Sequence, residues 1–196
     1  MLDISSLTNN QIYLKSSPKD KLLKDDFELK TSKLENLNPN QVLVEVIYIS
    51  IDAANRAWMQ GRTYRSQILP GDVMGGYALG KVIATNNNGF NIGDYVEGDL
   101  GWQNYAIRDA KELIKTSIKS SENLHMSVLG ITGKTAYFGL KLAELKKGET
   151  VLISAAAGAV GNVAGQIAKI KGCKVIGITS SDEKALWLKD TLGYDG

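Results

Sequence analysis

Positions 156–161 read Ala-Ala-Gly-Ala-Val-Gly, which is the spacing of G-x-G-x-x-G with alanine in place of the first glycine. TVLIS at 150–154 precedes it, a short apolar run suited to a strand buried on both faces, and an amphipathic stretch follows through Lys171 with Gly172 as its stop. A strand, a loop of small residues and a helix start together suit a pyrophosphate, the alternative being a tight turn rich in glycine and alanine that binds nothing. The first backbone N–H groups of a helix have no internal partner, and they stand at the positive end of its dipole. In this reading Gly158 leaves room for the phosphates, and Gly161 lets the helix pack closely on its sheet. Ala156 takes the turn position.

A second strand, CKVIGIT at 173–179, ends where a dinucleotide site usually offers a carboxylate to the ribose hydroxyls, and Thr179 occupies that place. Thr179, Ser180 and Ser181 are small hydroxyls, and Lys184 adds a positive charge. This combination leaves space and charge for a 2′-phosphate, so the implied cofactor is NADP(H) rather than NAD(H). Ser180 and Glu183 also have the spacing of a capping box, in which case Asp182 and Glu183 are dipole partners of a first helical turn.

Composition narrows the rest. The 196 residues are 43% hydrophobic and 22% charged, enough to bury a core, and the net charge of +2 comes from basic and acidic residues that are interspersed. This gives no electrostatic reason to expect nucleic acid or a membrane surface as partner. No apolar run approaches the roughly 20 residues of a membrane span, and MLDISSLTNN lacks the features of a secretory signal, so a cytoplasmic setting is expected. One cysteine, Cys173, and one histidine, His125, argue against a zinc site. GKT at 133–135 is not a phosphate-binding P-loop, since Val128 stands where that motif needs glycine.

The elements that must position these residues fall into two patterns. Up to residue 120, short strands alternate with turns: 11–15, 41–51, 76–85 and two more around DYVEGDL and WQNYAI. NPN at 38–40, NNNGFNIGD at 86–94 and GDLG at 98–101 supply the turn residues. From residue 121 the spacing turns helical, with Gly130 and Gly133 interrupting one long or broken helix, and strand, helix, strand and helix follow. The expected fold is α/β plus β, with one domain over 1–120 and a second over 121–196.

DDFEL at 25–29, NQVLVEVIYISIDAANRAWM at 40–59, PGDVMGGYALGKV at 70–82, GDYVEGDLGWQNYAI at 93–107 and GITGKTAYFGL at 130–140, with the loop above, resemble the zinc-less medium-chain dehydrogenase/reductases. The likeness is to the group of prostaglandin reductases and 2-alkenal double-bond reductases. It implies a GroES-like β-barrel domain followed by a Rossmann dinucleotide-binding domain. It further implies NADPH-dependent reduction of the C=C bond of α,β-unsaturated ketones or aldehydes, with NADPH quinone reduction, or cofactor binding without catalysis, as the alternatives.

By the same resemblance, 158–161 hold pyrophosphate and Lys184 the 2′-phosphate, while Thr132 and Gly133 lie in a segment lining the nicotinamide. Asn55, Arg56, Tyr64 and Met74 fall in loops bordering the substrate. Each of the last three has a structural alternative: Arg56 as an ion-pair partner, Tyr64 as a buried aromatic, Met74 as core. Relatives commonly pair as homodimers through the nucleotide domain. Ala54 stands where some plant relatives place a tyrosine, and LGYDG at 192–196 precedes the third strand of a Rossmann half, so a partial domain is expected and no proton donor is assigned.

Overall fold

The structure, a computed structural model, describes residues 3–118 and 121–196, and these form two compact units, one from each stretch. The expected domain boundary after residue 120 lies outside the described residues.

The first unit is built on antiparallel pairing. Strands β1 (Thr8–Leu14) and β2 (Phe27–Lys33) form a hairpin-like pair, and β3 (Gln41–Ile49), β4 (Tyr77–Thr85), β5 (Tyr95–Asp99), β6 (Tyr105–Asp109) and β7 (Ile114–Thr116) form a sheet in the order β6-β3-β4-β5-β7. Isolated bridges from Gln11 to Gln103 and from Tyr13 to Val73 tie β1 to segments flanking the larger sheet, consistent with the β-barrel that the resemblance implies. β-branched residues dominate its core, where Val42, Val44, Val82 and Val96 pack with Leu100 and Ala106. The NPN turn uses Asn40 at φ 65°, a conformation asparagine tolerates.

Strands β2 and β7 were not legible from hydropathy. FELKTSK exposes six of its seven residues, so the alternation that marks a half-buried strand is absent and pairing with β1 is what makes it a strand. Helix α1 (Ala53–Gln60) is capped by Asp52 and turns Trp58 and Met59 into a second cluster with Leu14, Ile68 and Met74.

In the second unit the helical stretch after residue 120 is broken. Helix α2 (Glu122–His125) ends in a turn, and α3 (Ile131–Leu142) starts after Gly130. A Cβ on Gly130 would strike the carbonyl of His125, and one on Gly133 the carbonyl of Val128, so both glycines are needed for the chain to fold back tightly on the start of α3. Then β8 (Thr150–Ile153), α4 (Ala159–Ile170), β9 (Lys174–Gly177) and α5 (Asp182–Asp190) follow, with β8 and β9 paired in parallel. This strand–helix–strand unit, the beginning of the Rossmann pattern, buries Ala156, Ala168, Cys173, Val175, Leu188 and Tyr194 together. Ala136 and Leu140 of α3 pack on Ala164 of α4.

Candidate functional site

Parallel pairing brings two chain reversals to the same end of the sheet. Ile153 is opposite Gly177 at the last register position, and beyond it the amide of Ala156 donates to the carbonyl of Ile178 at 3.0 Å. The loop between β8 and α4 therefore lies against the segment leaving β9. Gly158, Ala159, Val160 and Gly161 stand on one side of this junction, and Thr179, Ser180 and Lys184 on the other.

The start of α4 is open. Gly158 is its N-cap with no side-chain cap bond, no acidic residue occupies the first turn, and Gly158, Ala159 and Val160 are exposed. Its dipole and first amides are thus left without a competing carboxylate, which fits an anionic group there. Gly161 is buried beneath the loop, and a Cβ on it would collide with the carbonyl of Ala155 and approach the Ala156 backbone within 2.9 Å. Close packing by Gly161 is therefore as the spacing implied.

The turn position is not. The left-handed residue of the loop is Ala155, at φ 48°, while Ala156 is fully buried and hydrogen-bonded to the end of β9. Reading G-x-G-x-x-G onto the chain put the turn one residue too late, because the small side chain at 156 is required for burial and not for backbone freedom.

At the tip of β9, Thr179 is half-buried and Ser180 exposed, and Lys184 Nζ reaches Ser180 Oγ at 3.4 Å. The helix cap differs from the expected capping box. Ser181, not Ser180, is the N-cap of α5, its Oγ accepting from the Lys184 amide at 3.4 Å, so Ser180 is outside the helix and its hydroxyl faces the lysine. Among the described residues no carboxylate is a partner of Lys184; Asp182 and Glu183 occupy the first turn as dipole partners.

Thr132 and Gly133 sit in the first turn of α3, where the Thr132 hydroxyl donates to the Ser127 carbonyl at 2.9 Å and the Gly133 amide to the same carbonyl at 3.4 Å. Their backbone is fixed by this turn and by α3 packing on α4.

The four barrel residues are described within their own unit. Asn55 is buried: its Nδ2 donates to the Gly75 carbonyl at 3.0 Å and its Oδ1 accepts from the Asp52 amide at 2.6 Å. Met74 is fully buried in the cluster around Trp58, which is the packing alternative. Arg56 donates to the backbone carbonyl of Asp20 rather than to a carboxylate. Tyr64 is 83% exposed, so it is not a buried aromatic; its ring stands edge-on to Trp58 at 6.0 Å.

Sequence reasoning missed Arg65 and Tyr194. The guanidinium of Arg65 lies 4.5 Å over the Trp58 ring and 2.5 Å from Asp99, above a bare Gly75. Tyr194 fills a slot against α4. Gly165 inside a helix and Gly177 in a strand were the available signals, since glycine within regular structure marks a close approach.

Among the described residues, no helix is long and apolar enough to cross a membrane. Residues 10–116 match the family described as the N-terminal domain of oxidoreductase. Over 175 residues the chain is 42% identical to prostaglandin reductase 1 of Mus musculus, a match that covers 87% of this chain and 51% of that protein. It is 36% identical over 197 residues to the 2-alkenal reductase (NADP(+)-dependent) of Nicotiana tabacum, covering 96% and 57%. The crystal structure of CurA from Vibrio vulnificus matches with a TM-score of 0.87 at 37% identity, over 95% of this chain and 56% of that one, and CurA in complex with NADPH with a TM-score of 0.85. The chain spans about half the length of the curated relatives it matches.

Proposed function

The chain belongs to the medium-chain dehydrogenase/reductase family of oxidoreductases, in the group of prostaglandin and 2-alkenal reductases, and from that premise we propose that it serves the NADPH-dependent reduction of the C=C bond of α,β-unsaturated ketones and aldehydes. The observation that carries this reading is the junction at the ends of β8 and β9, where an uncapped helix start without carboxylates lies beside the segment leaving β9, with Ser180 next to Lys184 of the first turn of α5. The relatives' own NADP and NADPH dependence supports the choice of cofactor.

The chemistry that NADPH supplies is hydride transfer from C4 of the nicotinamide to the β-carbon of the alkene. The residues of this chain bind and orient. The backbone at 158–161 receives the pyrophosphate, and Lys184 with Ser180 receives the 2′-phosphate, whose extra charge an acidic residue at Thr179 would repel. Thr132 and Gly133 border the nicotinamide on a turn of α3 that is fixed by its own hydrogen bonds. Negative charge building on the substrate carbonyl requires hydrogen-bond donors. Of the barrel residues assigned to the substrate, Asn55 and Met74 are committed to the interior and Arg56 bonds the Asp20 carbonyl, whereas Tyr64 keeps its phenol exposed and available for contact.

The test is turnover. Mixed with NADPH and 2-nonenal, the protein is expected to consume the reduced nicotinamide absorbance. Equal turnover of a simple quinone would replace the alkene reading with quinone reduction. NADPH binding with no turnover of either would reduce the role to cofactor binding.

A further inference from the structure

We infer that Tyr194 is a positioning residue for the cofactor loop, holding the first turn of α4 in register with the sheet through a hydrogen bond to Gly161. The inference rests on the reading of 155–161 as the pyrophosphate loop, but its structural half stands apart from that reading.

The hydroxyl of Tyr194 donates to the carbonyl of Gly161 at 2.9 Å, and the residue is 4% exposed. Two glycines make room for the ring. A Cβ on Gly165, one turn further along α4, would fall on the phenol itself, and a Cβ on Gly177 of β9 would come within 3.0 Å of the ring edge. The ring therefore occupies a slot between helix and strand that only side-chain-free residues provide.

The backbone at the far end of this strut is fixed as well. Gly193, at φ 69°, turns the chain back after α5, and the Tyr194 amide donates to the Leu188 carbonyl at 3.1 Å. Asp195 then runs beside β9: its amide donates to the Val175 carbonyl at 2.8 Å, its carboxylate accepts from the Val175 amide at 2.6 Å, and Lys169 of α4 pairs with the same carboxylate at 3.0 Å. Tyr194 is thus tied to the strand on one side and to the first turn of α4 on the other. Burial pushes its phenol above the ordinary tyrosine value, so the hydroxyl stays protonated well into the alkaline range.

What this controls is the height of the first turn of α4 above the sheet. Gly161 is already pressed against the backbone of residues 155 and 156, and its carbonyl is the atom the phenol grips. A shift of this turn moves the amides of Ala159, Val160 and Gly161, which in the proposed reading meet the phosphates shared by both pyridine coenzymes, the Gly158 amide being held by the Ala155 carbonyl at 2.8 Å. The hydroxyl therefore contributes to pyrophosphate affinity and not to discrimination of the 2′-phosphate.

Tyr194→Phe removes the hydroxyl and keeps the ring in its slot. Expected is faster amide hydrogen exchange confined to residues 158–162, read at the Gly158 and Asn162 amides, which donate to the carbonyls of Ala155 and Gly158, with NADPH and NADH both weakened by about fivefold, the equivalent of one hydrogen bond. Gly165→Ala, which evicts the ring, should reproduce the local exchange change. Unchanged exchange at 158–162, a rise spread uniformly over the second unit with unaltered coenzyme affinity, or weakening of NADPH alone would each overturn the inference. If the parent protein binds neither coenzyme, the proposed function fails, and the exchange pattern alone decides whether Tyr194 sets the loop.

Discussion

Lys184 Nζ stands 3.4 Å from Ser180 Oγ, across the N-terminus of α5 and immediately beyond the end of β9. The pair is a cation beside a hydroxyl, next to Thr179, which in the proposed reading stands where a ribose-binding carboxylate would otherwise be. A charge-assisted hydrogen bond to phosphate is stronger than a neutral one, so Lys184→Ala is expected to weaken NADPH by about tenfold or more and NADH little. Fluorescence titration with both coenzymes checks this, and an equal loss for the two would remove the lysine from the phosphate site.

Ala155 carries the one left-handed conformation in the cofactor loop, at φ 48°. An alanine there crowds its Cβ against the backbone, a strain that glycine lacks, although glycine gives some of the gain back through the entropy of the unfolded chain. Ala155→Gly is expected to raise stability by about 0.5–1 kcal/mol in denaturant unfolding. The same change at Ala156 should destabilise, because that methyl is fully buried.

These two neighbours also show what the sequence made legible. The strand, loop and helix around 150–170 were readable because each follows from local rules: β-branched strand residues, small loop residues and a glycine stop. The position of the turn within the loop was not, because whether 155 or 156 takes the left-handed angle depends on which methyl the second strand buries. Likewise Ser180 and Ser181 were equivalent as letters, and only the path out of β9 makes one the helix cap and the other the neighbour of Lys184. Tyr194 lies 33 residues from Gly161, a contact without a periodic signature. The barrel strands rich in valine and leucine were predicted, while β2, whose residues face solvent, emerged only through its partner.

Gly161 has no space for a side chain. A Cβ would meet the Ala155 carbonyl and the Ala156 backbone, and backbone atoms cannot rotate away as a flexible side chain does. Gly161→Ala is expected to cost about 1–3 kcal/mol of stability, in the range of overpacked cores. It should also weaken NADPH and NADH together by lifting α4 from the sheet. Thermal unfolding with parallel coenzyme titrations measures both effects, and a wild-type melting curve would contradict the packing.

Arg65 anchors the 61–69 loop of the barrel, which bears Tyr64. Its guanidinium stacks at 4.5 Å over Trp58, pairs with Asp99 at 2.5 Å, and covers Gly75, on which a Cβ would come within 2.8 Å of two guanidinium nitrogens. Lysine retains the charge but neither the plane nor the fork, so Arg65→Lys is expected to destabilise the barrel unit by about 1 kcal/mol. Gly75→Ala, which displaces the same guanidinium, should act in the same direction. If Tyr64 contacts substrate, both variants raise KM for the alkene more than they lower kcat, a split that steady-state kinetics resolves.

Acid should loosen the strut behind the cofactor loop before it reaches the loop itself. The Val175 amide, and then Lys169, hold the Asp195 carboxyl below its ordinary value of 3.8. In the barrel, Lys115 and the Asn91 amide do the same for Asp94. With folded values depressed, the unfolded chain binds more protons in this range, so stability is fully present above about pH 4 and falls as pH drops through the folded values. Asp195→Asn, which cannot accept the lysine as a charged partner, is expected to lower neutral-pH stability and flatten the acid slope of the second unit. Circular dichroism against pH for parent and variant reads the slope. Exchange at residues 158–162 should quicken in the same window if the Asp195 tie carries through Tyr194 to Gly161.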